Sequence, residues 1–186
     1  MSHRESARTA ARRIRSAILA ALVVVSTTIS SLPAALGETD GAVLEGVIVF
    51  DDHIPAVANL DPGLLRALHT AARDAAKDGI QIVVNSGWRS RGYQKRLLRD
   101  AVARYGSEKA AARWVATPDT SSHVSGQAID IGPSRAAAWL SKHGARYQLC
   151  RIYRNEPWHY ELRLEANKDG CPSMYADPRH DPRMHQ

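Results

Sequence analysis

Residues 121–130 read SSHVSGQAID, and residues 156–160 read EPWHY. The first stretch runs from a turn-rich loop into an alternating strand, 127–131, and the second leads into another predicted strand, 158–164. A helix and a further strand are predicted between them, which gives the order strand, helix, strand, strand. Strands and helices therefore do not alternate regularly. This order predicts a single α+β domain, in which a small antiparallel sheet carries helices packed on it.

The flanking sequence adds more elements to this sheet. Asp61 and Pro62 form a helix start, apolar residues recur at helical spacing after them, and Gly79 ends the helix. Similar signals predict helices over 62–78, 92–105, 107–116 and 133–143, and strands over 43–50, 80–85 and 147–153.

Three residues of the two opening stretches match the needs of a catalytic zinc ion. Such an ion takes three His or carboxylate ligands and keeps one open position. His123 lies in the loop, and Asp130 lies in the strand, where period-two alternation turns it away from Ile129 and Ile131. In the second strand His159 points away from its two aromatic neighbours. The sequence therefore predicts a zinc site made of His123, Asp130 and His159.

Glu156 supplies the carboxylate that this chemistry also needs. Pro157 fixes the backbone after it and removes one donor, which holds Glu156 at the entrance of the strand that carries His159. From there it could remove a proton from the attacking water and return it to the leaving amine. We therefore expect Glu156 to be the catalytic base.

Each of these residues, taken alone, also has an ordinary structural explanation. A His in a Ser-rich loop is usually a surface side chain, and Asp130 could cap the helix that begins at Pro133. The prediction therefore depends on the combination of the residues and on their order.

The combination resembles the zinc D-Ala-D-Ala carboxypeptidases and dipeptidases of the VanY and VanX kind, which share the Hedgehog/DD-peptidase fold. The resemblance covers about half of the chain and implies zinc ligands His123, Asp130 and His159, base Glu156, and Arg89 as the cation that stabilises the oxyanion. It rests on Ser121-x-His123-x-x-Gly126-x-Ala128-x-Asp130, on Glu156-x-x-His159, and on Ser86-Gly87-Trp88-Arg89-Ser90 with Tyr93-Gln94.

Three further residues have alternative explanations. Fixed positive charge at Arg89 would suit a tetrahedral intermediate, but surface arginines that form simple ion pairs are common. Ser121 would, by resemblance, bind the terminal carboxylate of the substrate, or it could only cap its turn. Gln94 is a substrate-pocket candidate, although a Gln on an amphipathic helix is usually solvated.

The resemblance implies an enzyme that removes the terminal D-amino acid from a peptidoglycan stem peptide, with zinc as cofactor. An endopeptidase that cuts cross-bridges is the nearest alternative. A non-catalytic binding module, like the zinc-bearing Hedgehog domain, is another, but such a module has no need for Glu156 and Arg89. The chain departs from the family pattern at Asp119, Ser122 and Val124 and in the short stretch between Asp130 and Glu156, which leaves substrate choice open.

The N-terminus predicts export. Residues 1–37 combine a basic start, an apolar run and small residues at a cleavage position, which is typical of a signal peptide. The apolar run is shorter than the roughly 20 residues that span a bilayer, so cleavage is favoured over anchoring. An adjacent Arg pair leaves twin-arginine export as an alternative to the general route. We expect a catalytic domain over 38–175 and a flexible, solvated tail over 176–186.

Most of the net positive charge of the chain lies in the predicted signal peptide. The formal net charge is +6, but residues 1–37 hold five Arg and one Glu, which leaves 20 basic against 18 acidic residues. No basic helix remains, so nucleic acid is not expected as a partner. We expect a monomer with no stable membrane association after cleavage.

Cys150 and Cys171 are the two cysteines of the chain. Export would place them where disulfides persist, and two cysteines this far apart make a poor zinc site. We therefore expect them to pair.

Overall fold

Four short strands form one sheet in the computed structural model, which describes residues 37–185. The sheet has the order β1-β2-β4-β3, and every neighbouring pair is antiparallel. This confirms the predicted α+β class with a small antiparallel sheet. The strands are β1 Val83–Ser86, β2 Ala128–Gly132, β3 Leu149–Arg151 and β4 His159–Leu162.

Six α-helices and four short 3₁₀ turns accompany the sheet within the described residues. None of these helices is both long enough and apolar enough to cross a membrane. The α-helices are α1 Pro55–Ala58, α2 Pro62–Lys77, α3 Arg91–Tyr105, α4 Glu108–Ala111, α5 Ser134–His143 and α6 Ala166–Asp169. The 3₁₀ turns are Glu38–Asp40, Gly144–Tyr147, Pro178–His180 and Pro182–His185.

Helices α2 and α5 pack against the sheet and against each other. The side chain of Asp61 caps α2 by accepting from the backbone N–H groups of Gly63 and Leu64, as the sequence predicted. The apolar face of α2 and that of α5 then bury the inward side chains of the strands. This core contains Leu64, Leu68, Ala71, Ala75, Val84, Ile129, Ile131, Ala136, Leu140, Leu149 and Tyr160.

Two predicted elements differ from the structure. Residues 43–50 form no regular strand, because turns at 45–46 and 49–50 break the extended run and Gly46 has a φ of +89°. Only a single bridge joins Ile48 to Val83. The helix predicted over 107–116 is the single turn α4, after which the chain continues irregularly towards the site. The other predicted elements are present, with ends that differ by at most three residues.

The sheet has an apolar side and a polar side, as the alternation in β2 predicts. Ile129 and Ile131 are buried in the core, whereas Asp130 between them pairs with His159 of β4 and with Ser86 of β1. Antiparallel partners lie directly opposite one another, so their side chains share a face. The register therefore places the two predicted ligands next to each other.

The C-terminal part of the chain is tied to β3. Cys150 and Cys171 form the predicted disulfide, and Tyr175 then bridges to Tyr153. Residues 177–185 pack on the domain, with Asp177 and Asp181 buried at 3% and 0% exposure. This differs from the expected solvated tail, because both acids pair with arginines of the same segment. The predicted signal peptide, 1–37, lies outside the described residues except for Gly37.

Candidate metal centre

Three ligand atoms converge where β2, β4 and the loop before β2 meet. Oδ1 of Asp130 lies 3.1 Å from Nδ1 of His159 and 3.4 Å from Nε2 of His123. The two ring nitrogens are 3.3 Å apart. All three residues are buried, and the group could hold a metal ion.

These separations suit a tetrahedral ion. Bonds of about 2.0–2.1 Å to nitrogen and oxygen place the ligands of a tetrahedron roughly 3.3 Å apart, so the three atoms need little movement to bind one. Three protein ligands also leave a fourth position open, as catalytic sites require. The donor set therefore fits a catalytic metal.

The second nitrogen of each imidazole is already committed. Nδ1 of His123 lies 2.8 Å from the carbonyl oxygen of Gly87, and Nε2 of His159 lies 3.1 Å from Oε1 of Glu161. A carbonyl and a carboxylate only accept, so each of these nitrogens carries the proton and donates. The nitrogens that face Asp130 are therefore the ones left for a metal ion to bind.

Two glycines let the backbone bring His123 into place. A Cβ at Gly87 would lie 2.1 Å from the carbonyl oxygen of Ala56, which leaves no room for a side chain next to the acceptor of His123. Gly126 has a φ of +73°, and a Cβ there would lie 2.4 Å from the carbonyl oxygen of Asn59. The first approach fixes the segment after β1, and the second fixes the loop before β2, against residues that precede α2.

Asp130 is held as an anion. Its other oxygen, Oδ2, accepts from Nη2 of Arg89 at 3.0 Å. Burial alone would raise the pKa of Asp130, but His123, His159 and Arg89 outweigh it and hold this pKa well below its usual range. Asp130 can therefore act as a charged ligand.

The structure places Arg89 and Gln94 in one network beside Asp130. Arg89 also donates from Nε to Ser86 and from Nη1 to Oε1 of Gln94, so three of its five N–H donors are in use. Gln94 is 1% exposed and donates in turn to the carbonyl oxygen of Ala116. Both ends of the Gln94 amide are occupied, so its contacts favour orienting Arg89 over binding substrate directly.

Glu156 lies next to the ligands with one oxygen uncommitted. Oε2 is 3.8 Å from Nδ1 of His159, whereas Oε1 is buried without a hydrogen-bond partner among residues 37–185. Burial raises the pKa of Glu156 to about 7. A carboxylate with such a pKa beside a metal site can take up and release a proton near neutral pH.

All seven predicted site residues line a single pocket. Ser121 is 5% exposed in this wall, and Trp114 and Trp158 are each more than one-third exposed at it. The metal centre is therefore surrounded by three parts of the chain: the residues after α4, the loop 117–127 and the start of β4.

The sequence reasoning missed one side of the pocket. Tyr153, Pro178 and Met184 also line it, and Glu161 lies behind His159. Glu161 could have been found, because it follows His159 by two residues and shares its face of the strand. The others come from segments that showed no site pattern.

Comparison with known proteins agrees with this geometry. The family model described as VanY, D-alanyl-D-alanine carboxypeptidase, matches residues 58–164, which is more than half of the chain. The chain therefore belongs to the VanY D-alanyl-D-alanine carboxypeptidase family.

Individual relatives share this region. A D-alanyl-D-alanine carboxypeptidase of Enterococcus faecalis (strain ATCC 700802 / V583) is 34% identical in a 113-residue alignment that covers 47% of this chain and 42% of the relative. The chain thus matches less than half of that relative's length.

Solved structures show the same fold. A D,D-pentapeptidase VanY variant from a VanB-type resistance cassette, in complex with Zn(II), is 29% identical with a TM-score of 0.55 and covers 59% of this chain and 76% of its own. VanYB in complex with D-alanine-D-alanine is 28% identical with a TM-score of 0.54 and covers 59% and 75%.

Proposed function

We propose that this chain is a zinc-dependent carboxypeptidase that removes the terminal residue of peptidoglycan stem peptides ending in D-Ala-D-Ala. The observation that carries the proposal is the convergence of three ligand atoms within 4.8 Å of one another, beside a buried carboxylate and a fixed guanidinium in one pocket. A structural metal site would need neither of these two groups.

His123, Asp130 and His159 hold the zinc ion in this proposal. Zn(II) in the related VanY structure supports the choice of metal. When bound, zinc acts as a Lewis acid on the scissile carbonyl and on the attacking water.

Glu156 moves the proton. Its raised pKa, of about 7, and the uncommitted Oε1 suit a group that accepts a proton from the attacking water and then donates it to the leaving amine. Burial also keeps bulk water from competing for this carboxylate.

Arg89 and Ser121 act on the substrate. Arg89 keeps two N–H donors beyond the three in use, and its fixed charge stabilises the negative charge that develops on the carbonyl oxygen. Ser121 offers a hydroxyl in the same wall for the terminal carboxylate of the peptide. The D-Ala-D-Ala complex of VanYB supports this substrate class.

The site of action follows from the substrate. Peptidoglycan lies outside the cell membrane, so we propose that residues 1–37 direct export and that the domain acts as a monomer in the cell wall. The Cys150–Cys171 disulfide supports export, because disulfides persist in oxidising compartments.

The test is Glu156→Gln, which keeps the size of the side chain but cannot act as a base. Zinc content, measured by elemental analysis, should stay near one ion per chain. Release of D-Ala from a stem pentapeptide, followed by mass spectrometry, should fall by about 10²-fold or more. Glu165→Gln, at an exposed Glu paired with Lys168, is the matched control and should keep wild-type turnover.

The same assay separates the alternatives. Wild-type turnover by Glu156→Gln would remove Glu156 from the mechanism. Cleavage of cross-linked dimers with the pentapeptide left intact would identify an endopeptidase, and cleavage of the tetrapeptide alone would identify L,D specificity. Zinc-loaded wild type that cleaves no stem peptide would favour the binding module.

A further inference from the structure

We infer that the C-terminal segment, residues 177–185, positions the metal ligand His159 through Arg183 and Glu161. The inference rests on the metal site proposed above. It concerns a part of the chain that the family match, which ends at residue 164, does not include.

The first link is between His159 and Glu161. Both side chains lie on the polar face of β4, and Nε2 of His159 donates to Oε1 of Glu161 at 3.1 Å. Glu161 is 1% exposed, so water cannot take its place. A carboxylate that accepts from the far nitrogen of a metal-binding His fixes both the tautomer and the ring orientation.

The second link is between Glu161 and Arg183. Nη1 of Arg183 lies 2.7 Å from Oε2 of Glu161, and Nη2 lies 3.3 Å from Oε1, the oxygen that faces His159. Arg163 also donates to Oε2 at 2.7 Å, but it does not contact Oε1. Arg183 therefore donates to both oxygens of Glu161, and such bidentate contacts fix the plane of the carboxylate.

The third link holds the C-terminal segment in place beside His159. Asp181 is fully buried, accepts from Arg183, and accepts from the hydroxyl of Tyr153 at 2.9 Å. The ring of Tyr153 lies against that of His159, with 5.1 Å between their centroids. The C-terminal segment is thus linked to His159 in two ways. Arg183 holds Glu161, which accepts from Nε2 of His159, and Asp181 holds Tyr153, whose ring lies against the imidazole.

These contacts matter for metal binding because Oε1 of Glu161 must stay aligned with Nε2 of His159. Without Arg183, only Arg163 would hold the carboxylate, and from one oxygen. The ring of His159 would then sample orientations in which Nδ1 no longer meets the other two ligand atoms. We therefore expect the affinity for zinc to depend on a residue that does not touch the metal site.

The test compares Arg183→Gln with Arg179→Gln. Arg179 lies in the same segment and pairs with the buried Asp177 in the way that Arg183 pairs with Asp181, but its side chain donates to Asp177 and not to Glu161. Zinc dissociation constants are measured by competition with a chromophoric chelator, and the melting temperature of each metal-free protein is measured beside them.

Arg183→Gln should weaken zinc binding by about 10-fold, the lower end of the effect of removing a group that contacts a metal ligand, because Arg183 acts on His159 through Glu161. Arg179→Gln should stay within about 2-fold of wild type. Arg183→Lys should recover part of the affinity, because it restores the charge but contacts one oxygen at a time. A purely structural role would lower the melting temperatures of both Gln variants and leave both zinc affinities unchanged.

The outcomes are distinct. Equal zinc affinity in folded Arg183→Gln and wild type would overturn the inference alone. A wild-type protein that binds no zinc would overturn the proposed function and the inference with it. If Arg183→Gln does not fold, Arg183→Lys decides the question: weakened zinc binding supports the inference, and wild-type affinity overturns it.

Discussion

The loop that carries His123 and the strand that carries His159 orient their imidazoles by different means. Nδ1 of His123 donates to a backbone carbonyl, that of Gly87, whereas Nε2 of His159 donates to the side chain of Glu161. A backbone acceptor is present whatever side chains surround it, but a carboxylate keeps its place only through its own partners. One half of the site therefore depends on close backbone packing, and the other half depends on a chain of side-chain contacts.

The largest effect is expected where backbone packing orients His123. Gly126→Ala should lower the free energy of unfolding by about 4 kcal/mol, because it combines an unfavourable φ with a clash against the carbonyl oxygen of Asn59. Gly106→Ala is the matched control, since Gly106 has a similar φ of +81° but nothing within 4 Å of the added Cβ. It should cost about 1–2 kcal/mol. Denaturant titration measures both.

Equal costs at the two glycines would show that the close approach at Gly126 is unimportant. The zinc affinity provides a second measurement. Gly126→Ala should weaken zinc binding, because the loop carries His123, and Gly106→Ala should leave it unchanged.

A smaller effect is expected from the disulfide on the other half of the site. The Cys150→Ala, Cys171→Ala double variant should lose roughly 3 kcal/mol of stability, since the bond joins residues 21 apart and restricts the unfolded chain. The loss should appear as a lower denaturation midpoint. Two free thiols detected by alkylation of the native exported protein would contradict the expectation.

The smallest effect is expected at Tyr153. Tyr153→Phe removes the hydroxyl that donates to Asp181 but keeps the ring against His159, so it should cost about 1 kcal/mol. Tyr175→Phe, at the neighbouring ring, serves as control and should cost less. Thermal unfolding compares the two, and a larger loss at Tyr175 would remove the Tyr153–Asp181 bond from the account of the C-terminal segment.

The half of the site around β2 and β4 could be predicted from the sequence because its signals are local. Alternation placed Asp130 opposite to Ile129 and Ile131, and the same rule separated His159 from its aromatic neighbours. The sequence also predicted the cap of α2 at Asp61, the end of α3 at residue 105 and the disulfide. Residue spacing and turn chemistry are enough for such features.

The rest depends on contacts between distant residues. The segment 43–50 has the composition of a strand, but it meets β1 only through the isolated bridge from Ile48 to Val83. Residues 177–185 have the composition of a tail, and their packing depends on contacts with Tyr153 and Glu161, which lie far away in the sequence. The same holds for Gln94, whose buried amide is explained only by its position between Arg89 and the carbonyl oxygen of Ala116.

The direct pairing of Asp130 with His159 across β2 and β4 has a consequence for how this family can diverge. A slip of one residue would exchange the two ligands for core side chains, so the register cannot change without loss of the site. The first part of the connection between the two strands, which carries α5 and the 3₁₀ turn Gly144–Tyr147, contains none of the site residues. A change of length in that first part would alter the connection without changing the register of β2 against β4.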